Sequence, residues 1–474
     1  MKDRFENYKK NIKTALIIFL IMFFLLGGYM GYALFFYGER WFSSPYNTRV
    51  RIHSQEPKII LGDILDRNDT LLVTTKEDST RGYFRQYSNQ SHYGAHVIGF
   101  HTESGRSGAE AHYVKYLMGY NNNIFERIYQ KAFLSQERGN NIVLTIDIQL
   151  SEYIASLLGG SKGSVVLMNP KTGEILSMVS SPSFDPNNMK DIKTDNLLNR
   201  SVQGLYPPGS IFKTVVLADA LESIDDIDTW TFNCIGSLDV QGKKISCYGG
   251  QAHGELDISN AMIHSCNGAF AQLGINMGWQ SILKKSGEFG FNKDFLLEDL
   301  RVEMSRLNLN KASTDIDIGW TSVGQGTTLV TPMHMAMMIS SIANDGIMME
   351  PKLLHSVIGR RGRVLKELEP KKFLKVLEPE DAVSIKQIMT RVVTEGTGRA
   401  SNVGGLSVAG KTGTAEVKSE KDPNAHPHAW FIGFAPAENP TLAIAVIVEN
   451  SGTGGKVAAP IAGKILHRAR ELGY

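Results

Sequence analysis

Hydrophobic and polar positions along the chain change their rhythm several times. From Ala15 to Phe36 no residue is charged and Leu, Ile and Phe predominate. As a helix this run spans about 30 Å, the thickness of a bilayer core. Residues 38–140 are polar and turn-rich. Within them, Ile59 to Val73 reads as two strands about an Asn68-Asp69 turn. From Asn141 the periods lengthen. Ile142–Ile146 predicts a strand, Gln149–Leu158 an amphipathic helix, and Gly163–Asn169 with Glu174–Ser180 a strand pair turned at Pro170-Lys171-Thr172-Gly173. Several helices are expected between Ile211 and Ala343. Strands return at Trp430–Phe434 and Leu442–Val448, and a helix from Ala459 to Leu472 closes the chain. Strands at both ends with helices between predict one α+β domain whose sheet is completed by the C-terminus.

The divisions expected are therefore a short tail (1–14), an anchor (15–37), a small pedestal of mostly β or α+β character (38–140) and a large α+β domain (141–474). Lys2, Arg4, Lys9, Lys10 and Lys13 precede the apolar run, which places the tail in the cytoplasm and the remainder across the membrane. The run is longer than a signal-peptide core, so an uncleaved anchor is the reading taken. In 474 residues the net charge is only +2, which gives no electrostatic footprint for nucleic acid. Three cysteines occur. Cys234 and Cys247 flank a turn at Gln241-Gly242, placed either to pair or to remain buried free thiols; the third is Cys266. With no Cys-x-x-Cys, no cysteine zinc site is expected. His426-Pro427-His428 lacks an evident third ligand. His253-Gly254 is read as structural. Met333, Met335, Met337 and Met338 read as core filling.

Chemistry concentrates in three short segments. In Tyr206-Pro207-Pro208-Gly209-Ser210-Ile211-Phe212-Lys213, a turn places Ser210 at a helix start. Amide N–H groups there favour developing negative charge. Lys213 stands one turn on, positioned to act as the base that a serine nucleophile requires. Ser265-Cys266-Asn267 offers a hydroxyl to relay a proton and an amide to hold a carbonyl. Lys411-Thr412-Gly413-Thr414 reads as an edge strand along which an extended peptide can pair, with Gly413 clearing its approach. Decoys exist: Ser281-Ile282-Leu283-Lys284 reads as helix surface, Lys171-Thr172-Gly173 as a turn, and Lys285-Ser286-Gly287 as a helix end.

In that order, at intervals of about 50 and about 145 residues, the three segments resemble the signature of penicillin-binding proteins and active-site serine β-lactamases. The intervals suit the larger, penicillin-binding branch. Thr145-Ile146-Asp147, Asn169 to Leu176, Ser181 to Asn187, Asn199-Arg200, Gly324-Gln325-Gly326 with Thr331-Pro332, and Ala429 to Pro436 extend the likeness over residues 141–470. Gly62-Asp63-Ile64-Leu65-Asp66-Arg67-Asn68 resembles the pedestal of the class B members, in a short, penicillin-binding protein A-like form, although Leu61 stands where the family usually has Arg.

The resemblance implies a monofunctional peptidoglycan D,D-transpeptidase on the outer side of a bacterial cytoplasmic membrane. Ser210 would be the nucleophile, Lys213 the base, and Ser265 with Lys411 the proton relay. Asn267 would position the donor peptide. Thr412, Gly413 and Thr414 would bind the terminal carboxylate, and the N–H groups of Ser210 and Thr414 would form the oxyanion hole. Stem peptides and β-lactams are the implied ligands, a polytopic glycosyltransferase an implied partner, and no cofactor or metal is called for. A D,D-carboxypeptidase or β-lactamase, in which water replaces the acceptor amine, is the enzymatic alternative. A β-lactam sensor or a wall-synthesis scaffold is the non-enzymatic one. Fourteen residues before the anchor are too few for a sensor's output domain.

Overall fold

The computed structural model describes residues 2–42, 59–79, 82–102, 105–119, 137–190, 192–295, 297–367, 369–417 and 425–474. Parts of the expected pedestal, 43–58 and 120–136 among them, lie outside the described residues. The first helix, α1 (Lys2–Phe42), contains a span at Lys10–Ala33 that is long and apolar enough to cross a membrane, with its side chains exposed up to Tyr32 and Ala33 buried.

Two sheets organise the remainder. The first joins β1 (Ile64–Leu65), β2 (Leu71–Asp78), β3 (Gly82–Tyr87) and β4 (Asn141–Leu144). The second contains β5 (Gly163–Met168) and β6 (Ile175–Ser181). Later in the chain, β7 (Leu354–Ile358) and β8 (Val364–Glu367) return to the first sheet, in the order β8-β7-β4-β1-β2-β3. Its pairs are antiparallel except β1 with β4. Strands β9 (Ala409–Ala415), β10 (His428–Ala435) and β11 (Leu442–Val448) complete the second sheet in the antiparallel order β6-β5-β11-β10-β9. The C-terminal strands thus sit between β5 and the edge strand β9, as the strands at both ends of the α+β pattern require.

The second sheet is buried on both faces, which is why its central strand β11 reads as an unbroken apolar run and β5 and β10 nearly so. Successive side chains alternate sides. Val165, Leu167, Ile444, Val446 and Val448 face one core, with α2 (Ile148–Leu158) and the C-terminal helix Ala458–Glu471. Val166, Met168, Ala443, Ala445 and Ile447 face the other. That second core holds α3 (Lys213–Ser223), the N-terminal half of α4 (Asn267–Glu288, interrupted at Gly278) and α5 (Pro332–Ala343). All of α5 is buried, its four methionines completely, so their flexible side chains fill the core. Asp147 caps α2 by accepting from Leu150 N at 3.0 Å, and Gly159 ends it in the left-handed region at φ 56°. Helix α6 (Pro379–Thr394) packs beside β9, and α7 is the closing helix Ala458–Glu471.

The Asp66–Asn68 turn docks the first sheet onto the entry to α2. Asp66 accepts from Asn68 N, Thr70 N and Ile148 N at 2.9, 2.8 and 3.2 Å. Asn68 donates to Asp147 at 3.0 Å. Gly62 is required by close approach, since a β-carbon there would sit 1.8 Å from the Asn140 carbonyl oxygen. Leu61 is buried in the core, and its carbonyl accepts from Thr75 Oγ1 at 3.0 Å.

The helices expected after Ile211 are interrupted by a small β lobe. Thr231–Cys234 pairs with Gly254–Asp257, and Ser237–Val240 with Lys243–Ser246. Gln241 and Gly242 both take positive φ, 53° and 83°, as a two-residue type I′ hairpin turn demands. All three cysteines are free and buried.

Candidate active site

Pro207 and Pro208 stop the preceding chain, and Gly209 turns it at φ 57°. A short 3₁₀ turn, Gly209–Phe212, then leads directly into α3, so Ser210 lies in the first turn and Lys213 begins the α-helix. Trp430 Nε1 donates to the Pro207 carbonyl at 3.1 Å and anchors this corner to β10. A β-carbon on Gly209 would come 2.8 Å from the Thr414 carbonyl oxygen, and one on Gly413 would come 2.9 Å from the Pro208 carbonyl oxygen. The Ser210 turn and the edge strand β9 therefore approach backbone to backbone, which only glycine permits.

Ser265 and Asn267 occupy the turn that opens α4. Ser265 is held in the left-handed region at φ 55°, where a non-glycine residue is strained. Lys213 Nζ donates to the Ser265 carbonyl and to Asn267 Oδ1, each at 2.7 Å, and reaches Ser265 Oγ at 3.3 Å. From the opposite side Lys411 Nζ donates to Ser265 Oγ at 2.8 Å and to the Thr412 carbonyl at 2.9 Å. Asn267 Nδ2 donates to the Ser246 carbonyl at 2.8 Å, tying the turn to the β lobe. Both lysines are fully buried. Burial pulls the Lys213 amine down to about 7, and pulls Lys411 well below the ordinary lysine range, with the charge of Lys213 adding to it. Two amines sharing one hydroxyl in a dry site cannot both carry charge cheaply, so a neutral amine stands within reach of a hydroxyl proton near pH 7.

The fold brings together all eight residues expected at the site: Ser210, Lys213, Ser265, Asn267, Lys411, Thr412, Gly413 and Thr414. It leaves the decoys elsewhere. Ser281 donates to Asp219 and Lys284 points outward, with its side chain 70% exposed. Lys171 donates to Asn439 from the β5–β6 turn. Lys285, within α4, pairs with Glu222 and Glu288. Thr397, just beyond α6, accepts from Thr412 Oγ1 at 2.8 Å. Gly454 N donates to Thr414 Oγ1 at 3.3 Å, placing the Ser451–Gly455 turn over β9. Neither carries a signal in the sequence, because a lone Thr or a Gly in a turn gains meaning only from what packs against it. His428 Nδ1 accepts from Asn450 N at 3.1 Å, so it is engaged by backbone. The absence of Cys-x-x-Cys points away from a metal site, yet the fold gathers Cys234, Cys247, His253 and Cys266 with ligand atoms all within 4.8 Å of one another.

Comparison with known proteins agrees with this geometry. The family described as the penicillin binding protein transpeptidase domain matches residues 163–467. The peptidoglycan D,D-transpeptidase PbpA of Mycobacterium tuberculosis is 31% identical over 488 residues, covering 96% of this chain and 97% of the relative. PbpA of Mycolicibacterium smegmatis is 30% identical over 450 residues, covering 88% and 90%. The solved penicillin G acyl-enzyme complex of penicillin-binding protein A from M. tuberculosis has a TM-score of 0.79 at 29% identity, over 87% of this chain and 99% of that one. Family match, whole-length identity and common fold make this chain a member of the penicillin-binding protein transpeptidase family, class B, of the PbpA type.

Proposed function

We propose that this chain is a membrane-anchored peptidoglycan D,D-transpeptidase that works through Ser210. The observation that carries this is the buried network in which Lys213 and Lys411 both reach Ser265 Oγ, with the Lys411 strand packed against the turn bearing Ser210. Ser210 Oγ attacks the carbonyl of the D-Ala-D-Ala bond while neutral Lys213 takes its proton. The N–H groups of Ser210 and Thr414 hold the resulting oxyanion, each worth about 3–4 kcal/mol in the transition state. Ser265, backed by Lys411, passes a proton to the departing D-alanine. Asn267 orients the donor stem peptide, which lies along β9 with its carboxylate against Thr412 and Thr414. The amine of a second stem peptide then takes the acyl group. A β-lactam ring is opened by the same hydroxyl and leaves Ser210 acylated, as the related acyl-enzyme complexes support.

Residues 1–14 form the cytoplasmic tail, 15–37 the anchor, 38–140 the pedestal and 141–474 the transpeptidase domain, which faces outward. Side chains from Lys10 to Tyr32 are left exposed by this chain, which suits lipid and a polytopic glycosyltransferase as neighbours. The decisive experiment is fluorescent penicillin labelling with mass spectrometry of the adduct. Ser210→Ala should abolish labelling and Ser281→Ala should not; equal labelling of wild type and Ser210→Ala would refute the assignment. Lipid-linked peptidoglycan as substrate should give cross-links, whereas D-alanine release alone would mean a carboxypeptidase.

A further inference from the structure

The β lobe at 231–257 is small and packs against α4. It consists of two separate strand pairs, four residues per strand, and isolated two-stranded pairs are marginal in water. Ile235 and Tyr248 point outward, 75% and 73% exposed. Inside the lobe, where it meets α4, buried Val240, Ile245 and Leu256 are joined by a cluster of sulfurs. Cys234 ends one strand, Cys247 follows the hairpin, His253 precedes the returning strand, and Cys266 caps α4 by accepting from Ala269 N at 3.5 Å.

The spacing within this cluster suits a single metal ion. Cys234 Sγ lies 3.7 Å from Cys247 Sγ, Cys247 Sγ lies 3.7 Å from Cys266 Sγ, and Cys234 Sγ lies 3.3 Å from His253 Nδ1. A tetrahedral zinc ion with Zn–S bonds of about 2.3 Å and a Zn–N bond of about 2.0 Å sets its sulfurs about 3.8 Å apart and its sulfur and nitrogen about 3.5 Å apart. Three of the six separations are therefore close to the edges of that tetrahedron, and the other three lie within 4.8 Å. A disulfide needs its sulfurs at about 2.05 Å and would leave a third thiol and an imidazole beside it.

We propose that Cys234, Cys247, His253 and Cys266 bind a structural zinc ion that holds the Ser265–Asn267 turn in place. Three thiolates and an imidazole suit zinc and exclude magnesium and calcium, and four protein ligands leave no open position for chemistry at the metal. The ligands act on the site by position. Cys266 stands between Ser265 and Asn267 in the chain. Cys247 follows Ser246, whose carbonyl accepts from Asn267 Nδ2. A metal there fixes both sides of the turn that presents a strained Ser265 to two lysines.

The test uses the full chain, purified in detergent without chelator. Elemental analysis should find about one zinc per chain, and cobalt(II) replacement should give the visible absorption of a tetrahedral cobalt thiolate. His253→Ala should weaken zinc binding by at least about 10–100-fold and slow Ser210 acylation by about 10–100-fold through a displaced turn. His253→Cys, which restores four ligands, should recover both, an outcome that loss of packing at His253 would not produce. Wild-type chain that retains no metal, or that carries a disulfide among these cysteines, overturns the site. Chelated chain that acylates at the full rate overturns its positioning role. Metal content is independent of the reading of Ser210: Ser210→Ala should bind zinc fully, so the two assignments can fail separately.

Discussion

At the residue scale, the proposed chemistry depends on where Lys213 keeps its proton. Burial brings its amine to about 7, so it is ammonium below that pH and free base above it. The rate of Ser210 acylation should therefore rise with pH through about 7 and level off, measured with a chromogenic cephalosporin; a flat profile across that range would exclude Lys213 as the base. Arg85 presents a different balance. Its Nε donates to Glu110 Oε1 at 2.7 Å and its guanidinium also serves the Gly62 carbonyl and Thr75, with both side chains of the ion pair withdrawn from water. Arg85→Ala leaves a buried carboxylate uncompensated and should cost about 3–5 kcal/mol in denaturant unfolding. These roles were unequally legible. Lys213 announced itself by standing one turn from Ser210 behind a Pro-Pro-Gly stop. Arg85 did not, because its partner lies 25 positions away and a single Arg carries no pattern.

At the element scale, glycine decides whether the Ser210 turn and β9 can meet. Gly209 has φ 57° and its missing side chain leaves room for the Thr414 carbonyl. Gly209→Ala should destabilise the fold by about 1–3 kcal/mol from backbone strain. It should also slow acylation, since the strand must retreat from the serine. The melting temperature and the labelling rate report the two effects separately. Edge strand β9 was readable from Lys411-Thr412-Gly413-Thr414 once its position after the other two segments was weighed. Strands β7 and β8 were not expected, because the order in which distant strands pair is set by packing and leaves no local period. Gln241-Gly242 was readable as a hairpin turn, since positive φ at both positions is a local demand.

At the scale of the molecule, the anchor and the catalytic body have separate requirements. α1 contains a span long and apolar enough to cross a membrane, whereas the rest closes its own cores on both faces of the second sheet. Removing residues 1–37 should release the protein from the membrane fraction and leave penicillin acylation within about two-fold of the full chain, as expected when remote sites add independently. Loss of acylation in that truncation would mean that the anchor shapes the site. The amino-acid sequence alone determined the apolar span, the apolar runs that become β5 and β11, the turns, and the three segments in which hydroxyls and amines stand at helical or strand spacing. These are local properties, written in period and residue type. Only the tertiary structure decided that Ser265 lies between two buried lysines, that Thr397 and Gly454 bear on β9, and that three scattered cysteines and His253 share one point. Desolvation and convergence arise when distant segments exclude water together, and no window along the chain records that.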